Sequence, residues 1–201
     1  MDRKKRSELL LQDLGIAINT GLPPITSEKL RSAKAVAERA RVLYAVAMYA
    51  EGTASAQGIA FLKGHGLWPS AVTPKEKAFL CNCDPSPLDI IQFTWRYESL
   101  WVLLWAIGGL EALSFPDHLC EVVEVHRIVL NLPEYCSLRP STEILDAADL
   151  TYRCHWATIE NQLRCRGSDR LDPGVVYERH YAFNWLLCHQ NQEWDDVTTD
   201  T

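Results

Sequence analysis

The chain has 201 residues, 47% of them hydrophobic, a net charge of -6 and a pI near 5.5. That length fits one domain, and that apolar content supports a core without staples. The acidic balance argues against general attraction to nucleic acid or anionic lipid, and the longest uncharged apolar run, Leu100 to Leu110, falls short of the ~20 residues that span a bilayer.

Taken in chain order, the pattern is one of helices separated by short Pro/Gly breaks, with no convincing period-2 strand. The basic tip Arg3-Lys-Lys-Arg6 reads as a solvated turn, followed by a short amphipathic helix over 6–18. Gly21 to Pro24 breaks it. Thr26 or Ser27 then opens a long helix to about Glu51, with Leu30, Ala33, Ala37, Ala40, Tyr44 and Ala47 at helical spacing and Lys and Arg opposite. A small-residue helix follows over 54–64, and Gly64-His-Gly66 reads as its C-cap and turn. Thr73-Pro-Lys-Glu76 is a capping box for a helix ending near Cys81. Helices over 88–113 and from Pro116 to about Leu130 come next. Ser141 is expected to cap a long helix to Arg166, stopped by Gly167, and Asp172-Pro173 to cap the last, to about His189. The expected fold is a single all-α domain, a bundle of about seven to eight helices with 88–113 and 173–189 at its centre.

The seven cysteines, at 81, 83, 120, 136, 154, 165 and 188, show no regular spacing, and no secretory signal precedes them. They read as reduced, mostly buried thiols of a cytoplasmic protein. Cys81-Asn-Cys83 alone is too little for a metal site.

The two central helices carry apolar residues nearly all round, so the polar residues within them are informative. Glu98 shares a side with Ile91, Trp95, Val102 and Trp105. Arg179 falls between Leu186 and Phe183, and His180 beside Val176 and Leu187. An unpaired buried charge is prohibitively costly, so Arg179 is expected to pair with Glu98, Asp149, Asp195, Asp196 or Asp200, the acidic end of the chain being the obvious supplier. In 141–166, Leu145, Ala148, Tyr152, Trp156, Ile159 and Leu163 form the expected core stripe. Asp149 and Arg153 stand at i, i+4 spacing.

Glu98, Asp149, Arg153, His155, Arg179, His180, Asn184, Asp195, Asp196 and Asp200 thus form the candidate polar constellation. As a pocket it could do acid/base work through a His flanked by carboxylates, hold a divalent ion, or clamp an anion between two arginines. As structure it is a buried ion network pinning the last residues onto the helices, and this second reading is the simpler. No nucleophile elbow, phosphate loop, zinc helix or di-iron pair is present. Trp68 and Trp194 are candidate exposed contact anchors.

The segments Trp101 to Gly108, Asp149 to Ala157, Glu178 to Leu186 and Trp194-Asp-Asp-Val-Thr-Thr-Asp-Thr201 resemble the bacterial domain-of-unknown-function family 4272 over roughly residues 26–201. The resemblance implies a soluble bacterial protein with no assigned activity, so no catalytic residue, cofactor or metal is carried over; the constellation coincides with the family's motif positions. Two functions follow as expectations. The first is a non-enzymatic protein-binding module, of an immunity or regulatory kind, taking a basic or toxin-like partner. The second is a small hydrolase or anion/metal-binding enzyme built on the Arg/His/Asp cluster. Nucleic acid and membrane are not expected partners, and a homodimer stays open.

Overall fold

Short polar side chains and prolines open most of the helices. In the computed structural model, which describes residues 2–27, 29–164 and 170–201, Asp2 caps α1 (Arg3–Asp13) and Ser32 caps α2 (Ala33–Ala50). The α3 helix (Ser55–Gly64) closes on His65 with Gly66 at φ +69°, a turn that favours glycine. Thr73 and Glu76 form the expected capping box of α4 (Pro74–Cys81), and Ser86 caps α5 (Pro87–Thr94). The α6 helix (Arg96–Ala106), α7 (Val122–Leu130), α8 (Ser141–Leu163) and α9 (Pro173–Leu186) complete the set, with 3-10 turns at His189–Asn191 and Trp194–Asp196. Asp172 caps α9 through the Gly174 and Val175 amides. Among the described residues there is no strand, and no helix is long and apolar enough to cross a membrane.

The all-α expectation holds, with shifted boundaries. The 88–113 helix is two, α5 and α6, meeting at Trp95. The Thr94 hydroxyl donates back to the Ile90 carbonyl at 2.8 Å, a bond that bends helices. It stops at Ala106 because Gly108 turns left-handed (φ +79°) and the Gly109 amide reaches back to the Leu104 carbonyl at 2.8 Å. The expected 6–18 helix lies at 3–13, closed by the same device at Gly15. Its basic tip is not a solvated turn: Arg3 pairs with Asp146 at 2.7 Å, Arg6 also pairs with Asp146, and Lys4 donates to the Thr20 carbonyl.

Other starts move later for a common reason, namely that the backbone serves a buried carboxylate first. Residues 23–27 stay extended because the Ile25 amide donates to Asp149 at 2.9 Å and the Pro23 carbonyl accepts from Arg153, so α2 begins at Ala33 rather than Thr26 or Ser27. Residues 117–121 remain irregular, the Cys120 amide donating to Glu98 at 2.5 Å, so α7 begins at Val122. No side chain caps α8, although its first residue is Ser141. The expected stop at Gly167 lies outside the described residues. The α9 helix ends at Leu186 rather than 189, followed by Cys188, Gln190 and Asn191 at positive φ.

At the centre, α6 packs against α2 on one side and α9 on the other. The α8 helix covers α9, and α1 covers α8. This stacking makes α2 as central as the two expected helices, with Val36, Ala37 and residues 39–47 all buried. It also rotates the buried face of α8. Ile144, Ala148, Asp149, Thr151, Arg153, Cys154 and His155 are inside, while Ile159 and Leu163 of the expected stripe are exposed. Of the six described cysteines, all free, only Cys120 and Cys154 are buried. The thiol of Cys154 is pushed up to about 12 by burial.

Candidate functional site

The structure divides the polar constellation into separate buried units. In the first, the Glu98 carboxylate of α6 lies against the Arg179 guanidinium of α9 at 3.1 Å. The two side chains are 2% and 1% exposed. The remaining Arg179 donors go to the Ser114 carbonyl (2.6 Å) and hydroxyl (3.3 Å). The other Glu98 oxygen accepts from the Cys120 amide. The nearby Cys120 thiol is held protonated, by burial first and by the Glu98 charge second. Arg179 therefore pairs with Glu98, and the acidic end of the chain is not its partner. At that end Trp194 is the buried residue, while Asp195 is half-buried and Asp196 and Asp200 are exposed.

The second unit joins α1 to α8. Arg153 donates to both oxygens of Asp149, at 2.9 and 3.2 Å, and to the Pro23 carbonyl at 3.1 Å. Its remaining nitrogen lies 3.6 Å from Glu8 of α1. The expected i, i+4 pair exists, but in the interior.

The third unit is His155 against His180, with Nδ1 to Nδ1 at 2.8 Å, both nearly inaccessible. One nitrogen must donate and the other accept, so the accepting ring is neutral with its proton on Nε2 and the two rings cannot both be protonated at Nδ1. Burial, then the repulsion that protonated His155 and His189 would exert, depresses His180 to about 3, and burial lowers His155 as well. Neither histidine is flanked by carboxylates as expected.

The fourth unit anchors the last residues. Trp194 is buried, with Arg39 and Arg96 over its ring at 5.3 and 5.9 Å and the Tyr181 and Trp185 rings edge-on to it at 5.1 and 5.4 Å. The Tyr181 hydroxyl donates to the Trp194 carbonyl, and Asn184 to that of Thr198 at 2.8 Å. Trp194 is therefore no exposed anchor, and Trp68 is half-buried in a cluster with Leu62 and Leu67. Asp195 accepts from the Lys75 amide at 3.2 Å, and Asp196 and Asp200 are exposed.

Two buried pairs were not anticipated. Arg39 meets Glu76 at 2.8 Å, and Arg96 meets Glu178 at 3.1 Å with Ser99 donating to the same carboxylate. Glu76 carried a signal as the capping-box residue, but the burial of Arg39 follows only from the central place of α2. Among the described residues no three His, Cys, Asp or Glu side chains group as metal ligands would.

Two of the segments named by resemblance, Asp149 to Ala157 and Glu178 to Leu186, carry members of these pairs, whereas their partners Glu8, Arg96 and Glu98 lie outside all four. A family model described as a domain of unknown function, DUF4272, matches residues 3–197. The chain belongs to this family. The match takes in α1, so the DUF4272 region starts well before residue 26, and Glu8 lies within it. Comparison with curated proteins and with solved structures gave no match.

Two features of this DUF4272 domain face outward. The first is the outer stripe of α7 and the residues beside it. Leu119, Val123 and Leu130 are 58, 80 and 66% exposed, and Val123 and Leu130 lie within about 20° of each other on the helix. Exposed Asp117 and Glu121 precede them and exposed Glu134 follows. The second is an open cleft of about 720 Å³ between α2, the turn after α3 and the loop after α7, lined by residues that include Arg41, His65 and Tyr135.

Proposed function

We propose that this DUF4272 domain is a cytosolic bacterial binding module of an immunity or regulatory kind, without chemistry of its own, and that it takes a basic protein partner on the outer stripe of α7. The observation that carries the reading is the set of large apolar side chains left in water there, Leu119, Val123 and Leu130, with exposed carboxylates at both ends of the helix. Exposed apolar residues with a charged rim are the composition of an interface core. The rim and the net charge of -6 would speed encounter with a positively charged partner. The hydrolase alternative needs Arg153 and Arg179 free for an anion, and each already holds a carboxylate inside the protein.

The test places a photo-crosslinking residue at Val123 or Leu130, with exposed Gln57 of α3 as control, in cells of the native host. A basic protein joined from 123 and 130 but not from 57, and lost in Val123→Asp, supports the reading. No product, or the same product from 57, overturns it. A product of twice the chain's own mass would replace the foreign partner by a second copy.

A further inference from the structure

Four arginines are buried among the described residues: Arg39, Arg41, Arg153 and Arg179. Three of them hold a carboxylate, Glu76, Asp149 and Glu98 respectively. Arg41 does not, and no carboxylate of the described residues lies within 4.0 Å of it. Its donors reach only carbonyls, those of Ala37 (3.4 Å), Leu132 (3.1 Å) and Pro133 (3.2 Å), and its Nε is buried with no hydrogen-bond partner. Carbonyl dipoles satisfy N–H groups but do not neutralise a cation withdrawn from water, for which an anion is the effective partner.

Arg41 differs from the other three in a second respect, since it lines the open cleft. The cleft's volume of about 720 Å³ is that of a small-molecule site, where ~300–1,000 Å³ is usual. Its other polar groups are arranged consistently. At the rim Lys34 and Glu38 face each other at 3.8 Å and largely cancel. The His65 Nδ1 lies 2.9 Å from the Phe61 carbonyl. A carbonyl only accepts, so that nitrogen carries the proton and the exposed imidazole stands at the rim with its Nε2 turned from that bond. Tyr135, 87% exposed, supplies an aromatic wall. Glu134 is the one exposed carboxylate of the loop side and opposes an anion. The Cys136 thiol is raised by burial and drawn back by Arg41, so it lines the cleft as a neutral group.

We propose that this cleft binds a small organic anion, a carboxylate or a phosphate ester, whose charged oxygens lie against the Arg41 guanidinium with His65 at the rim. The cleft shares only Glu134 with the rim of the α7 stripe, and Arg41, His65 and Tyr135 lie outside that stripe.

Inorganic phosphate, citrate and AMP, each titrated at constant ionic strength against chloride, test it by calorimetry and by amide NMR of the full chain. Saturable binding of at least one probe is expected, with shifts confined to residues 34–41, 64–67 and 132–136. AMP binding more tightly than phosphate assigns an ester, and citrate more tightly than both assigns a carboxylate. Arg41→Lys, which loses the planar fork, should weaken binding by about tenfold or more. Since a buried site tolerates change poorly, exposed His65→Ala is the second variant, expected to weaken binding while leaving the chain folded. Glu134→Gln should tighten it, which a merely structural role would not produce. Absence of saturable binding by all three probes, shifts located elsewhere, or affinities indifferent to His65→Ala and Glu134→Gln would overturn the proposal. None of these outcomes bears on crosslinking from Val123.

Discussion

Acidification should destabilise this protein through one pair of side chains. The His155 and His180 Nδ1 atoms lie 2.8 Å apart in the interior, where two protons cannot both sit between them. Burial, reinforced by His155 and His189, holds His180 at about 3 in the folded state, against ~6.5 in an unfolded chain. The folded value lies below the unfolded one, so the unfolded state takes up the proton first as pH falls. The pair's contribution is therefore complete above about pH 6.5 and is lost as pH falls from there towards 3. Each pH unit within that window costs ~1.4 kcal/mol for His180 alone, or ~2 kcal/mol at about pH 5. That is a sizeable part of the ~5–15 kcal/mol of a typical domain. Urea unfolding between about pH 8 and 5 measures it, and His180→Leu should flatten the slope by about one proton while lowering stability at the alkaline end. A wild-type midpoint that stays level from pH 7 to 5, or a His180→Leu slope equal to the wild type's, would refute the reasoning.

Other predictions follow from single contacts. A Cβ at Gly174 would stand 2.4 Å from the Trp95 ring, so Gly174→Ala should cost ~1–3 kcal/mol in thermal or urea unfolding. Trp194→Ala removes a buried ring held by two arginines and two aromatic residues and should cost ~3–5 kcal/mol, with earlier protease cleavage after residue 187. Asp196→Asn and Asp200→Asn alter exposed positions and should leave stability within about 0.5 kcal/mol of wild type.

Much of this architecture was legible in the residues, and the failures have physical causes. A charged residue on a helix that is apolar all round must find a partner, so the pairing of Arg179 could be foreseen. Which carboxylate it takes could not, since Glu98 and the terminal aspartates satisfy the same electrostatic demand. The structure puts Glu98 of the facing α6 helix against Arg179, while Trp194 is buried elsewhere, against Tyr181 and Trp185, with Asp196 exposed beside it. The α8 stripe misled because a helix covered on two sides, by α1 and α9, buries polar residues that a single-sided count assigns to solvent. The α2 helix misled in the same way, its small alanines hiding that Arg39 and Arg41 lie inside. The break at Trp95, where the Thr94 hydroxyl turns back to the Ile90 carbonyl, leaves no trace in the hydrophobic period.

The central claim is that the buried ion pairs of this DUF4272 domain hold the fold together. A double-mutant cycle at Glu98 and Arg179, with Glu98→Leu, Arg179→Met and both together, tests it most directly by urea unfolding. Each single change leaves one buried charge alone and should cost ~3–5 kcal/mol, while the double variant, with neither charge, should cost far less than the sum. Single variants as stable as wild type, with no coupling between them, would contradict the account.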